Sequence, residues 1–285
     1  MKFKDINYKI SDVEITKRYY NEIPFYRCIG ISIVENGNKK IEYIPFSGQD
    51  ALKDISKEKA ISELYERLTW INIYKNSDIK GYFDTIGFSA HVDLDASLNN
   101  SILEVFERHL FQETVNNIIF QKPLKVENYK RGITYSYEVN FDKKIFYISV
   151  YFEISQNMII FGMGKEEKLI DAKFNAYLES RLVDEAFSNR DIIKPDNLSY
   201  LELVNFLEIS LKLEGFADEI FDDDKEVGVN LFEDYSFADE FKLFDVTNLR
   251  PKNLPNKRVV TCFVKDKQIL NTILDNGGIQ YAVKI

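Results

Sequence analysis

Two short segments of the chain carry paired glutamates at the same spacing. Glu63 and Glu66 lie three residues apart in the first segment, and Glu104 and Glu107 lie three apart in the second. Residues three apart share one face of an α-helix, so each pair presents two carboxylates in the same direction. Hard cations such as Mg2+ take oxygen ligands and often bridge carboxylates to phosphates. The four glutamates are therefore candidate ligands that hold Mg2+ against a triphosphate.

A solvated helix surface is the alternative interpretation of these pairs. Arg67 and Arg108 follow the two pairs directly and would neutralise them, and like charges at this spacing cost only roughly 0.2–0.5 kcal/mol. However, residues 60–68 and 101–110 match at an offset of 41 residues, and a weaker third copy covers 175–181. Repetition in one register favours a functional role, because a solvated surface requires no such match.

Helices are predicted around all three copies. The predicted helices cover about 50–76, about 95–117 and about 165–188, with a fourth over 198–214. Asp93 or Asp95 is the expected N-cap of the second helix, since either carboxylate can accept from the free amides of a first turn.

Strands are predicted between the helices. Runs rich in β-branched and aromatic residues predict a hairpin over 23–47, a meander over 133–163 and a β-α-β ending over 256–285. No linker rich in Pro, Gly or Ser divides the chain. The expected fold class is α+β, with a single domain over 1–285 in which mixed or antiparallel sheets pack against the carboxylate-bearing helices.

Composition narrows the classes of function. The chain has 285 residues, is 45% hydrophobic and carries a net charge of −9, which supports a globular core and argues against nucleic-acid binding. The two cysteines lie far apart, no CxxC occurs and only two histidines are present, which argues against a metal site rich in Cys or His. No apolar run is long enough to span a membrane. We therefore expect a soluble cytoplasmic protein. The acidic segment 216–247 either binds a basic partner or is a solvated stretch whose phenylalanines dock on the core.

The order of the short motifs resembles the YcaO family. Ser47-Gly48 precedes a helix that carries Ala60 and Glu63-Leu64-Tyr65-Glu66-Arg67, and Gly87-Phe88-Ser89-Ala90 precedes the helix with Glu104-Val105-Phe106-Glu107-Arg108. Ala172 and Ala176 precede Glu179 on the third helix. The resemblance covers about residues 45–185. It implies a YcaO-like domain.

The resemblance also implies a chemistry. YcaO proteins bind ATP and Mg2+, phosphorylate a backbone amide oxygen of a peptide and let a nucleophile attack the amide carbon. A neighbouring Cys, Ser or Thr yields an azoline, and sulfide yields a thioamide. By this resemblance Glu63, Glu66, Glu104 and Glu107 hold Mg2+, and the nucleotide contacts are Arg108, Glu179 and, as a compensating cation, Lys59.

Two departures from the family pattern define a second hypothesis. The family's serine on the first helix falls on Lys59, and one family glutamate falls on Ala96. The alternative to an amide-modifying enzyme is thus a degenerate YcaO-like scaffold that binds a peptide or partner within a modification complex. The resemblance implies a precursor peptide as the substrate and a partner protein for peptide capture or sulfur delivery. It also allows a homodimer. An exposed sheet edge within 133–163 is a candidate site for an added peptide strand.

Two further features leave alternatives open. Gly162-Met163-Gly164-Lys165 before a helix is either a phosphate cradle or an ordinary strand-to-helix turn. His91 and His109 are either an acid/base pair or packed side chains, and no Ser-His-Asp order supports a triad.

Overall fold

The computed structural model describes residues 4–20, 23–35, 41–77, 85–116, 125–129, 132–141, 144–155, 158–188, 240–255 and 257–282. The chain divides into two compact units. Unit 1 consists of Met1–Phe106 with Ser236–Lys284, and unit 2 consists of Glu107–Tyr235 with Ile285. The described strand pairs are all antiparallel, and helices accompany them in both units, which confirms the α+β class. The single domain remains a prediction.

The first sheet of unit 1 is an antiparallel meander. Strands β1 (Asn7–Tyr20), β2 (Ile23–Glu35) and β3 (Ile41–Asp50) pair in that order. The predicted hairpin corresponds to β2 and β3. Strand β1 was not predicted, because charged residues interrupt its apolar pattern. A bulge at Asp12, with φ of 33°, also shifts its register.

Helix α1 (Lys53–Lys75) packs on this sheet and confirms the first predicted helix. Its buried side includes Leu64, Tyr65 and Leu68, which join the core of unit 1. Buried Asn72 accepts the Ile6 amide at 3.0 Å and donates to the Leu249 carbonyl at 2.8 Å. On the same helix the rings of Trp70 and Tyr74 stack with centroids 5.2 Å apart. The helix is thus anchored along its length, which fixes the glutamates that it carries.

A second sheet of unit 1 joins segments that are far apart in sequence. Its order is β11 (Ile279–Tyr281), β9 (Lys242–Asp245), β10 (Val259–Val264) and β4 (Phe88–His91). The predicted C-terminal β-α-β arrangement is confirmed by β10, helix α4 (Lys267–Asp275) and β11. Gly87 leads into β4 at φ of +81°, where a Cβ would lie 2.3 Å from the Phe263 carbonyl oxygen, so only glycine fits.

Helix α2 (Leu94–Asn116) follows β4 and confirms the second predicted helix. Asp93 is the N-cap, because its Oδ1 accepts the Ala96 amide at 2.9 Å. The division between the units falls within this helix, so Glu104 belongs to unit 1 and Glu107 to unit 2.

Unit 2 is a four-stranded meander with a helix. Strands β5 (Lys125–Tyr129), β6 (Gly132–Phe141), β7 (Lys144–Ser155) and β8 (Met158–Glu166) pair in chain order, and helix α3 (Leu169–Ser188) follows them. The predicted meander corresponds to β6–β8, and β5 is an addition. On β7, buried Glu153 pairs with Arg181 of α3 and accepts from the Tyr151 hydroxyl at 2.8 Å.

Some predictions fall outside the described residues. These are the helix over 198–214 and the acidic segment as far as residue 239. The end of that segment is described and contains β9. Within the described ranges, no helix has the length and apolar character required to span a membrane.

Candidate functional site

Glu63 is held by the strand that precedes its helix. One carboxylate oxygen accepts the Ser47 amide at 2.5 Å and lies 3.2 Å from the Ser47 hydroxyl. The other oxygen pairs with Arg67, one turn further along α1, at 2.5 Å. Among the described strands, β3 is an edge of its sheet, so none of them pairs with the Ser47 amide on that side. The glutamate therefore satisfies an edge amide and is oriented by it.

Glu66 makes the same type of bond with a different sheet. Its Oε1 accepts the Ala90 amide at 2.8 Å, and Ala90 lies on β4, the edge of the second sheet of unit 1. Within unit 1 the two glutamates of α1 thus hold amides of two strands from two sheets. Because both glutamates lie three residues apart on α1, they share one face of that helix. Tyr65 and Leu68 of the same helix are buried in the core.

Lys59 has a partner close to Ser47. Its ammonium lies 2.8 Å from Asp50 Oδ2, and its side chain is 39% exposed. Asp50 is the last residue of β3. The predicted phosphate contact by Lys59 remains a prediction, and the structure places this cation in an ion pair.

The described part of α2 in unit 1 carries Glu104 on a half-buried position. Its neighbours Leu103 and Val105 are buried. Ala96 occupies the position of the family's additional glutamate, in the first turn of this helix, and is half-buried. Asp95, the residue before it, is exposed. Ala96 brings no carboxylate to that position.

Unit 2 assembles two acidic and two basic side chains. Glu107 is only 7% exposed and lies 3.5 Å from the Lys165 ammonium. Glu179 Oε2 accepts the Met163 amide at 2.7 Å, and its Oε1 lies 3.6 Å from Arg108. Arg108 and Glu179, both predicted as nucleotide contacts, are therefore neighbours.

The surroundings of Glu179 shift its proton affinity. Burial raises the pKa of this carboxyl to about 7, and the charge of Glu107 acts in the same direction. Arg108, the Met163 amide and Lys165 oppose the rise because they favour the ionised form. The surroundings of Glu179 thus favour its protonated form more than those of an exposed glutamate do.

The glycines of the third motif do not form a phosphate cradle or a turn. Residues 162–165 lie inside β8, which ends at Glu166. A Cβ on Gly162 would lie 2.0 Å from the Ala176 carbonyl oxygen, and one on Gly164 would lie 2.1 Å from that of Ala172. Both interpretations were wrong because these glycines permit close packing of strand and helix, rather than exposing amides to an anion.

The candidate peptide-binding edge is already in use at one point. Strand β8 is the edge of the predicted meander, and its Met163 amide is bonded to Glu179. An added peptide strand cannot pair with that amide while the bond persists. His91 Nδ1 accepts the nearby Asp93 amide at 3.1 Å, and the acid/base pair of His91 and His109 remains a prediction.

Carboxylate oxygens are among the ligands that Mg2+ prefers in proteins. An ionised carboxylate has roughly four lone-pair sites, so one bond from an amide does not exhaust it. Within the described ranges, no group of three or more Asp, Glu, His or Cys side chains is arranged to hold a metal ion by itself. Mg2+ at nucleotide sites uses one or two carboxylates together with phosphates and water, so the donor set fits Mg2+ bound with a nucleotide.

Sequence reasoning identified these glutamates but missed their partners. The amides of Ser47, Ala90 and Met163 are backbone groups, which no side-chain pattern reveals. A signal was nevertheless present, because Gly48 and Gly164 mark the strands that approach the helices closely. The joint metal site of Glu63, Glu66, Glu104 and Glu107 remains a prediction.

Comparison with known proteins supports the fold. No protein-family model matches the sequence, and no curated protein matches it significantly. Among solved structures, the chain is similar to YcaO from Methanopyrus kandleri, which was solved bound with AMPPCP and Mg2+. The TM-score is 0.51 at 13% identity, and the match covers 91% of this chain and 87% of that one. The chain therefore has a YcaO-like fold.

Proposed function

We propose that this protein holds Mg–ATP and activates backbone amides of a ribosomally made precursor peptide in the cytoplasm, by cyclodehydration or thioamidation. The observation that carries the proposal is the fixed placement of helix glutamates by edge-strand amides. Support comes from the fold similarity to a YcaO that was solved with AMPPCP and Mg2+. A partner protein would capture the peptide or deliver sulfur.

The proposed cation ligands are the two pairs of glutamates, Glu63 with Glu66 and Glu104 with Glu107. The bonds from Ser47 and Ala90 hold the first pair in place before any ligand arrives, so little side-chain entropy is lost on binding. Because no described cluster is a complete metal site, the remaining oxygens would come from the nucleotide and water.

The proposed phosphate contact is Arg108. Its guanidinium lies 3.6 Å from Glu179 Oε1. Burial raises the pKa of this carboxyl, and a protonated carboxyl attracts the guanidinium less strongly than an ionised one. Mg–ATP held by these residues would supply the phosphoryl group that makes an amide oxygen a leaving group. Arginine would stabilise the charge that develops on the transferring group.

A catalytically degenerate scaffold is the second candidate. The specific observation in its favour is that Glu63 is engaged by both oxygens, with Ser47 and Arg67. Lys59 is held by Asp50, and Ala96 brings no carboxylate to the position of a family glutamate. A scaffold would bind the peptide or a partner protein without turning over ATP.

Calorimetric titration with Mg–ATP tests the proposal. Wild-type protein should bind, and Glu66→Gln should weaken binding by about tenfold or more, since it removes a charged ligand yet can still accept the Ala90 amide. Asp54→Asn is the matched control, because it removes an exposed carboxylate from the same helix and should leave affinity unchanged.

Two outcomes would contradict the proposal. The absence of heat at millimolar nucleotide would exclude a Mg–ATP site and favour the scaffold. Equal affinity of wild type and Glu66→Gln would show that the nucleotide binds elsewhere. Phosphate release in the presence of a peptide would then separate an enzyme from a scaffold that only binds nucleotide.

A further inference from the structure

A strand and a helix in unit 1 match a strand and a helix in unit 2 in register. Strand β3 ends at Asp50 and α1 begins at Lys53, while β8 ends at Glu166 and α3 begins at Leu169. The shift is 116 residues, the difference between Gly48 and Gly164. We call each combination a strand–helix module.

The close contact between strand and helix is the same in both modules. A Cβ on Gly48 would lie 2.2 Å from the Ser56 carbonyl oxygen and 2.4 Å from the Ala60 nitrogen. A Cβ on Gly164 would lie 2.1 Å and 2.5 Å from the same atoms of Ala172 and Ala176. Each contact atom in the first module has its counterpart 116 residues later.

The bond between helix glutamate and strand amide is also repeated. Ser47 donates its amide to Glu63, and Met163 donates its amide to Glu179, in each case across 16 residues of sequence. The donor directly precedes the packed glycine, and both strands are edges of their sheets. Glu63 and Glu179 are therefore equivalent positions.

A second side-chain bond completes each module. Lys59 lies 2.8 Å from Asp50 in the first, and Asn175 Nδ2 donates to Glu166 Oε1 at 2.6 Å in the second. Lys59 and Asn175 are again 116 residues apart, as are their acidic partners. This bond and the glutamate–amide bond attach the helix to the strand on opposite sides of the glycine, so together they fix how the helix lies along the strand.

We infer that Lys59 and Asn175 are positioning residues, which hold Glu63 and Glu179 on their strand amides. Asparagine carries no charge, so a positive charge is not what the two positions have in common. What they share is a bond from the helix to an acidic residue of the strand. The function of Lys59 is accordingly to fix its helix, and not to contact phosphate. The inference rests on the proposed function for the role of the two glutamates in Mg–ATP binding. That Lys59 and Asn175 position them follows from the contacts alone.

Amide hydrogen exchange at Ser47 is the direct measurement. Lys59→Ala should speed exchange of this amide by about fivefold or more, because the Glu63 bond that protects it is loosened. The matched control is Lys57→Ala, which removes the same charge from an exposed position of the same helix and should leave the rate unchanged. In unit 2, Asn175→Ala should have the same effect on the Met163 amide.

Exchanging the pair between modules separates positioning from phosphate binding. The variant Asp50→Glu with Lys59→Asn installs the acid and amide of the second module in the first. It should restore slow exchange at Ser47 and keep the wild-type affinity for Mg–ATP, although position 59 has lost its cation. Calorimetry on the same proteins gives the affinity.

The inference is overturned if Lys59→Ala leaves the Ser47 exchange rate unchanged, or if the exchanged pair fails to slow it. It is also overturned if Lys59→Ala and the exchanged pair lose Mg–ATP affinity equally while Ser47 exchange stays slow, since Lys59 is then a phosphate contact. Wild-type protein that binds no Mg–ATP would contradict the proposed function, and the exchange rates would still decide the inference.

Discussion

Three helix glutamates each accept a hydrogen bond from a backbone amide on the edge strand of a different sheet: Glu63, Glu66 and Glu179. An edge strand presents unpaired N–H groups that invite pairing with other chains, and a carboxylate satisfies one of them. The same bond orients the carboxylate, since one oxygen is fixed. A structural and a binding role therefore coexist in one side chain, and a mutation that removes the carboxylate changes both.

The pH dependence of stability should reveal Glu179. Burial raises the pKa of its carboxyl to about 7, from an ordinary value of 4.5. The folded protein then keeps a proton that the unfolded chain releases, so the free energy of unfolding falls as pH rises between these two values. The glutamine in Glu179→Gln cannot ionise. The free energy of unfolding of this variant should therefore fall less than that of the wild type over this pH interval.

Urea denaturation of both proteins at about pH 4.5 and about pH 7.5 measures the difference. Asp171→Asn, an exposed position on the same helix, is the control and should keep the wild-type pH dependence. Identical pH slopes for wild type and Glu179→Gln would show that Glu179 has an ordinary pKa.

At the scale of elements, the strand–helix modules depend on glycine. In a module the helix backbone lies so close to the strand that a methyl group at Gly48 would overlap the Ser56 carbonyl oxygen. The sequence predicted the helices α1 and α3 because each is a long segment without proline or glycine. They could not predict the contact between strand and helix, which depends on atoms brought together by folding.

Gly48→Ala should destabilise the protein by about 1–3 kcal/mol, because the helix must shift to admit the methyl group. Adding Ala60→Gly should not restore stability, since the crowded atoms are the Ser56 carbonyl oxygen and the Ala60 nitrogen, both of the backbone. Chemical denaturation gives both values. Recovery in the double variant would mean that side-chain crowding sets the cost.

The buried ion pair between β7 and α3 should contribute strongly to unit 2. Glu153 pairs with Arg181 and accepts from Tyr151, and its side chain is almost fully buried. Glu153→Ala removes the carboxylate that these two side chains share, at a cost of about 3 kcal/mol. Glu153→Gln retains an acceptor for Tyr151 and should cost less in the same denaturation experiment. Equal losses would show that only the charge matters.

At the scale of the whole molecule, local patterns predicted the α+β class but not how distant segments combine. Strand β4 pairs with β10 although they are separated by most of the chain, from Ala90 to Val260. The core of unit 1 contains residues from both ends of the sequence, such as Ile6 and Ile273. Composition carries no signal for such pairing, and no linker marks the division into two units.

The stacked pair Trp70 and Tyr74 has an optical consequence. Trp70 is the sole tryptophan of the chain, and it lies in unit 1 on the helix that carries Glu63 and Glu66. Intrinsic tryptophan emission therefore originates from that helix alone, whereas peptide ellipticity averages over both units. Midpoints that coincide in the two signals indicate a single cooperative transition, and midpoints that differ separate the melting of one unit from that of the other.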